Sequence, residues 1–352
     1  MNTISYLEKN PMPVDIQRRA DDFVLRSGKV EDAEDLAALF RVSYGQTTHP
    51  CQSPPYIYNA IVSELQEWFV LEIDSSIVGC SCIARRTWNQ SWESCYGVVH
   101  PGARRSGVIS SLIKLSLEGH DPEFMELGFY VPRSHSIHAI MNQIRKGVLV
   151  GHDGGPNMVD GIREYHFTAI HPPAAGEFTH IAPPYVTASN PSFIKDHLYE
   201  SLGLQPVPGA YPSACFTGPP GTEEHASFLY SCDEMANAFT LSGYTGAAIT
   251  EYEVFLELKA LIALWAESAY IAAYILSDKV ELISQMVTLG FVITSYLPAW
   301  HVHAGARYDC VMLVRHNFLQ SPQSHGFDSE IAFFDHAYSE LTKSLSLIAR
   351  TN

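Results

Sequence analysis

The sequence has no CxxC pair, no excess of basic residues and no unbroken apolar run long enough to cross a membrane, and each absence excludes a class of protein. Its seven cysteines form an odd set in which only Cys80 and Cys82 lie close together. That pattern argues against a disulfide scaffold and for reduced thiols in the cytoplasm. The 22 Lys and Arg against 38 Asp and Glu leave a formal net charge of −16, which disfavours broad adhesion to nucleic acid or to an anionic membrane. The longest apolar stretch, 256–276, is broken by Glu257, Lys259 and Glu267 and turns β-branched and aromatic after Ala269. It is therefore expected to be a helix feeding a strand. The opening residues, MNTISYLEKNPMPVDIQRRADD, contain no apolar segment followed by a cleavage site, so no secretory signal is expected in them.

What is present suits a folded α/β chain. With 352 residues, 46% of them hydrophobic, there is material for one large or two medium cores. The stretch FVLRSGKVEDAEDLAALFRVSY predicts a strand, a polar turn and an amphipathic helix with Leu36, Leu39 and Phe40 on one face. YIYNAIVSELQ predicts a second helix, and EWFVLEIDSSIVGCSCIARRTW a hairpin turning at Asp74 to Ser76. A strand over 94–99 follows. GFYVPRS, HSIHAIMNQIRKG and VLVGHD then predict strand, helix and strand, with a closing strand over 163–170. From His171 to Pro220 the chain is Pro-rich and reads as a connector interrupted by one helix at 191–202. Beyond it, helix, strand, helix, Gly-Phe and two strands recur, which suggests an internal duplication. In the tail, Ile331, Phe334, Tyr338, Leu341 and Leu345 are spaced for one face of a helix.

The segment YGVVHPGARRSGVISSLI, from Tyr96 to Ile113, carries the most chemistry. A strand runs through a Pro-Gly turn directly into a helix. A helix start leaves N–H groups without partners and a partial positive charge, so a tight turn before it forms a nest for phosphate. Gly107 permits close approach of the backbone, and Arg104 and Arg105 add charged donors. The preceding strand offers backbone to an extended arm. The combination describes a groove for a long molecule that ends in a pyrophosphate.

These residues resemble the GCN5-related N-acetyltransferase superfamily, whose acyl-CoA motif is a strand followed by Arg-x-x-Gly-x at a helix start. The element order from Phe23 to Ile170 is similar to that fold, and LGFVITSYLPAW with RYDCVMLV is similar to its closing elements. The resemblance implies an α/β (α+β) acyltransferase fold with a mixed central sheet flanked by helices, in two halves, the second degenerate. It divides the chain into a leader (1–22), an acyltransferase domain (23–171), a connector (172–222), a degenerate domain (223–317) and a helical tail (318–352). Two departures stand out: Ile109 occupies the last small position of the motif, and Gln143 stands where the family often has the tyrosine that reprotonates the thiolate.

The resemblance further implies acetyl-CoA or another acyl-CoA as donor, without a metal, contacted by Val98, Val99, Arg104, Arg105, Ser106, Gly107, Val108 and Ile109. Backbone N–H groups of Val98 or Val99 would polarise the thioester. The candidate catalytic residues are Glu93, the general base, His135, its rival as an acceptor-site or proton-relay residue, and Tyr96, which alternates with Glu93 along the strand and is expected to shape the acceptor pocket. The bland readings are a strand-end carboxylate near Arg85 or Arg86, a surface histidine and a packing aromatic. Cys95 reads as a structural thiol. His301 and His303 form an HVH pair without further ligands at metal-site spacing. The second half has no Arg-x-x-Gly loop before its helix, so it is expected to bind no CoA and to cover the acceptor side or mediate self-association, including as a homodimer. The implied function is transfer of an acyl group to a primary amine of a small molecule, possible in specialised metabolism. A carrier-protein thioester or aminoacyl-tRNA donor, or a non-catalytic acyl-CoA-binding protein, are the alternatives.

Overall fold

The computed structural model describes residues 23–47, 49–104, 109, 111–112, 124–130, 147–153, 155–159, 162–163, 165–173, 176–188, 193–317 and 327–351. The leader, residues 105–108, 110 and 113–123, and the segment 131–146, where a helix with His135 and Gln143 is expected, lie outside these residues.

Strand β1 (Val24–Ser27) leads through a turn to helix α1 (Ala33–Tyr44) and then α2 (Pro54–Val62). Leu36, Leu39 and Phe40 are buried on the face of α1 that the sequence marked. The turn is fixed by charge. Asp32 accepts from both terminal nitrogens of Arg26, and Glu72 from Arg26 as well. The hairpin of β2 (Gln66–Ile73) and β3 (Ser76–Arg86) turns at Asp74 and Ser75, both at positive φ (49° and 63°), as a tight two-residue turn requires. β4 (Ser91–Val99) pairs antiparallel with β3, and β5 (Phe124–Tyr130) lies parallel to β4. The order is completed by β6 (Val148–Asp153), a small hairpin of β7 (Met158–Val159) and β8 (Ile162–Arg163), and β9 (His166–His171).

The Pro-rich stretch is more structured than its composition implies. It holds β10 (Thr179–Ile181), helix α3 (Pro184–Ala188) and a π-helical segment, Phe193–Tyr199, continued by Glu200–Leu202. Ala182, Tyr185, Val186, Ile194, Leu198 and Tyr199 are buried in the main core. Beside the helix expected at 191–202, the stretch thus carries a short strand and a second short helix. Proline marks where helices and ladders stop, but burial here follows from apolar side chains between the prolines.

The remaining strands are β11 (Glu223–His225), β12 (Phe228–Asp233) and β13 (Ala238–Tyr244). Helix α4 (Glu251–Leu264) feeds β14 (Tyr270–Leu276), so the long apolar run is a helix and a strand as expected. Among the described residues no helix is long and apolar enough to cross a membrane. Helix α5 (Val280–Thr288), β15 (Val292–His303), β16 (Ala306–His316) and helix α6 (Asp328–Thr351) close the chain. Phe334, Tyr338, Leu341 and Leu345 of α6 are buried, and Ile331 packs against the same core.

Among the described residues one 14-stranded sheet runs β1-β2-β3-β4-β5-β9-β6-β15-β16-β14-β13-β12-β11, with β10 on β16. The architecture is mixed α/β, as expected. Outward from the β6/β15 seam both sides show the same series: two antiparallel neighbours, then a parallel pair, β5 with β4 on one side and β14 with β13 on the other. At the seam Gly151 lies opposite Ser295. A Cβ there would overlap the Thr294 carbonyl oxygen, so the close approach requires glycine. Tyr338 fastens the same place, its hydroxyl donating to the Val150 carbonyl and accepting from the Tyr296 N–H at 2.8 Å.

Candidate active site

Strand β4 carries an irregularity that shapes everything around it. Val98 pairs with Cys80 and Cys95 with Cys82, so Tyr96 and Gly97 stand against the single residue Ser81, and Tyr96 takes φ +53°. This is a β-bulge, which bends a strand and re-aims its side chains. Parallel pairing of β4 with β5 runs from Ser91↔Phe124 to Ser94↔Leu127 and stops before the bulge. Among the described residues no other segment pairs with that edge of β4 beyond Ser94. The ladder between β4 and β5 ends there.

At the end of β4 the chain enters the short turn Pro101–Ala103. His100 caps it, its Nδ1 accepting from the Gly102 N–H at 3.1 Å. Burial, then the Arg104 charge, lowers the pKa of this imidazole, in keeping with its acceptor role. Arg104 is exposed and donates from Nε to the Val99 carbonyl at 3.2 Å. Ile109, Ser111 and Leu112 are helical. Leu112 is buried with Phe69, Leu71, Ile83 and Trp92, which seats this helix on the opposite face from α1 and α2. The strand, turn and helix order read from the sequence is therefore present at its two ends. Arg105, Ser106, Gly107 and Val108 lie outside the described residues, as does His135.

The bulge also sets the side chains. A regular strand would place Glu93 and Tyr96 on opposite faces, since they are three residues apart. The extra residue brings Tyr96 onto the face of Glu93, where its ring stacks on Trp68 (5.1 Å, 20°) and meets Phe40 and His49 edge-on at 6.0 and 5.3 Å. Its hydroxyl lies 2.9 Å from that of Tyr56. Burial, then the neighbouring Tyr56, holds the Tyr96 pKa well above the ordinary phenol range, so it acts here as a neutral hydrogen-bonding group. Cys95 sits opposite Cys82, whose thiol is pushed well up by burial.

Glu93 is engaged. Its Oε2 accepts from Nη2 of Arg86 at 2.6 Å, and the Arg86 guanidinium lies over the Trp300 ring, 5.6 Å from the centroid. Trp300 in turn stacks with Tyr274 (6.2 Å, 10°) and meets Trp88 at 6.0 Å. Arg307 ties the same junction, donating from Nη2 to the Gln90 carbonyl at 2.7 Å. The second half thus abuts the candidate base. The sequence pointed to Arg86 as a neighbour of Glu93, but Tyr56, Trp68 and Trp300 carried no signal there, because an aromatic in a strand or helix reads first as packing.

The HVH pair has a local explanation. His301 Nδ1 is 2.7 Å from Thr217 Oγ1, and the two imidazoles stack at 6.3 Å. Among the described residues no group of three or more His, Cys, Asp or Glu is placed to hold a metal.

No family model matches the sequence, and no curated protein sequence matches it. Solved acetyltransferases are similar to part of the structure. An N-acetyltransferase from Staphylococcus aureus Mu50 is 16% identical, with 43% of this chain and 98% of that one covered at a TM-score of 0.35. The ribosomal-protein-S5-alanine acetyltransferase from Vibrio fischeri is 13% identical, covering 44% and 95% at a TM-score of 0.35. A spermidine/spermine N-acetyltransferase from Vibrio cholerae is 16% identical, covering 43% and 92% at a TM-score of 0.35.

Proposed function

We propose that this chain is a cytoplasmic N-acyltransferase that moves an acetyl or other acyl group from an acyl-CoA to the primary amine of a small molecule. The observation that carries the reading is the parting of β4 from β5 after Ser94, at the Tyr96 bulge, immediately before a strand-turn-helix with paired arginines. An extended pantetheine arm fits backbone of that kind, and its pyrophosphate fits the helix start at Arg104, Arg105, Ser106, Gly107, Val108 and Ile109.

In this reading residues 23–171 bind donor, 172–222 connect, and 223–317 are a duplicated copy without a donor site, followed by the tail at 318–352. Glu93, released from Arg86, takes a proton from the acceptor ammonium. The freed amine attacks the thioester carbonyl, which backbone N–H groups of Val98 and Val99 polarise, and the C–S bond breaks as the amide forms. The nitrogen sheds its second proton as the amide forms, and the departing thiolate takes up a proton in exchange and leaves as the free thiol. His135 is the rival base, and Tyr96 with Tyr56 lines the acceptor side. The acidic surface, net −16, favours approach of a cationic amine.

A second reading, a non-catalytic acyl-CoA-binding protein, is favoured by the Arg86–Glu93 ion pair, which occupies the candidate base. The two separate in one experiment. Purified protein with acetyl-CoA and a panel of amines is followed for free-thiol release, and calorimetry counts donor equivalents. Amine-dependent thiol release with one equivalent per chain supports the transferase. Binding without release supports the second reading, and no binding ends both. Gly107→Val is expected to abolish donor binding in a folded protein.

A further inference from the structure

The second half repeats the parted strands of the first, but there the gap is filled. β13 runs parallel to β14 from Ala238↔Tyr270 to Leu241↔Ala273 and stops. It stops at an irregularity of the same kind: Leu229 pairs with Gly243 and Tyr230 with Leu241, leaving Ser242 as the extra residue. On its other edge β14 is paired with β16 as far as Leu276↔Cys310. The edge of β14 that faces β13 is thus vacated from Tyr274 to Leu276.

Residues of the connector occupy it. The Thr217 N–H donates to the Tyr274 carbonyl at 2.8 Å, the Leu276 N–H donates to the Cys215 carbonyl at 3.0 Å, and Phe216 forms an antiparallel bridge with Ile275. Phe216 is buried, its ring edge-on to Phe228 at 5.8 Å. The segment touches β13 as well, for a Cβ on Gly218 would contact both Tyr274 and Ser242. It is held at both ends. Tyr211 bonds the Ile181 carbonyl and Ser277 Oγ, each at 3.1 Å, Lys279 Nζ donates to the Pro212 carbonyl at 3.0 Å, and Thr217 Oγ1 meets His301.

The other end of the gap is closed to anions. Where the first half has arginines, α4 opens with Glu251 and Glu253, and Thr250 with Glu253 caps its N–H groups in a reciprocal pair. A phosphate there would meet carboxylates and N–H groups that are already bonded.

We infer that the gap between β13 and β14 is a binding groove for an extended apolar peptide, filled in cis by Cys215–Thr217, and is no longer a donor groove. Backbone bonds to a sheet edge supply the hold and the Phe216 pocket the selectivity, the usual division of labour when a peptide adds to a sheet. Tethering keeps the occupant at high effective concentration, so the groove stays filled. The comparison with the first half, and with it the statement that the gap is no longer a donor groove, rests on the acyltransferase reading; the cis-filled peptide groove does not.

Amide hydrogen exchange tests this on the full chain. In the native protein the Thr217 and Leu276 amides are expected to exchange slowly and to be unaffected by saturating acetyl-CoA. Thr217→Pro removes the donor to Tyr274; exchange at Leu276 is then expected to accelerate at least about tenfold, and a synthetic peptide of residues 210–218 to slow it again. Should Thr217→Pro not fold, Phe216→Ala with the same peptide replaces it. Fast exchange at Leu276 in the native protein, no acceleration in either variant, or protection of the variant by acetyl-CoA and not by peptide overturns the inference. If acetyl-CoA binds nowhere, the acyltransferase reading falls, while slow native exchange and peptide rescue still support the cis-filled groove.

Discussion

The Arg86 guanidinium is held between the Glu93 carboxylate, 2.6 Å from Nη2, and the face of Trp300, a residue more than two hundred positions later in the chain. One half of the molecule therefore supplies the candidate base and the other a ring that steadies its counter-ion. A cation over an indole is favourable, more so when partly desolvated, so Trp300 helps to fix where Arg86 points.

If Glu93 is the base, Glu93→Gln lowers turnover by roughly 10²- to 10⁴-fold at neutral pH with donor affinity unchanged. The deficit narrows as pH rises and free amine becomes plentiful. Steady-state kinetics from neutral to alkaline pH, with His135→Ala beside it, decide the assignment. Full activity of Glu93→Gln with loss in His135→Ala moves the role to His135.

Gly151→Ala is expected to destabilise the protein by at least about 2 kcal/mol, since the new methyl group must displace backbone at the seam. Its site lies against Thr294 and Ser295, where β6 meets β15. Urea denaturation measures the loss. A midpoint equal to the native one would mean that the two halves are not joined at this strand pair.

Asp309 is fully buried, and both its oxygens are occupied. Oδ1 accepts from His180 Nε2 at 2.6 Å and the Ala299 N–H at 2.8 Å, and Oδ2 from the hydroxyls of Tyr296 (2.6 Å) and Tyr199. Asp309→Ala strands these donors and is expected to cost about 3–5 kcal/mol, whereas Tyr296→Phe, which removes one donor and leaves Tyr199, costs about 1–2 kcal/mol. Equal losses in thermal melts would show that the carboxylate is not the centre of this cluster.

Burial, then the charge of neighbouring His303, lowers the His301 pKa to about 4. A free imidazole titrates near ~6.5, so the unfolded chain binds the proton that the folded chain refuses between those values. Stability from His301 is therefore present above about pH 6.5, is lost as pH falls towards 4, and changes no further below it. The loss is at most about 3 kcal/mol, and less because the ring is partly exposed. Melting temperatures between pH 7 and 4 are expected to fall less steeply in His301→Asn than in the native protein.

The elements that depend on neighbours in sequence were legible without a structure. The Asp74 turn, the apolar stripe of α6 and the change from helix to strand near Ala269 each follow from local periodicity or a turn residue. The order of β14, β15 and β16 in the second half was legible as well, because apolar runs mark each of them. What only the tertiary structure decided depends on ladder register and on distant partners. A one-residue bulge, unmarked in composition, puts Tyr96 on the face of Glu93. The aspartate in RYDCVMLV looks like an oddity in an apolar strand until His180, Tyr199 and Tyr296 converge on it from other elements. The connector reads as a linker because prolines punctuate it, yet Phe216 bridges to Ile275 of β14 in the second half. That outcome required a vacant sheet edge, and such an edge exists only once β13, β14 and β16 have paired.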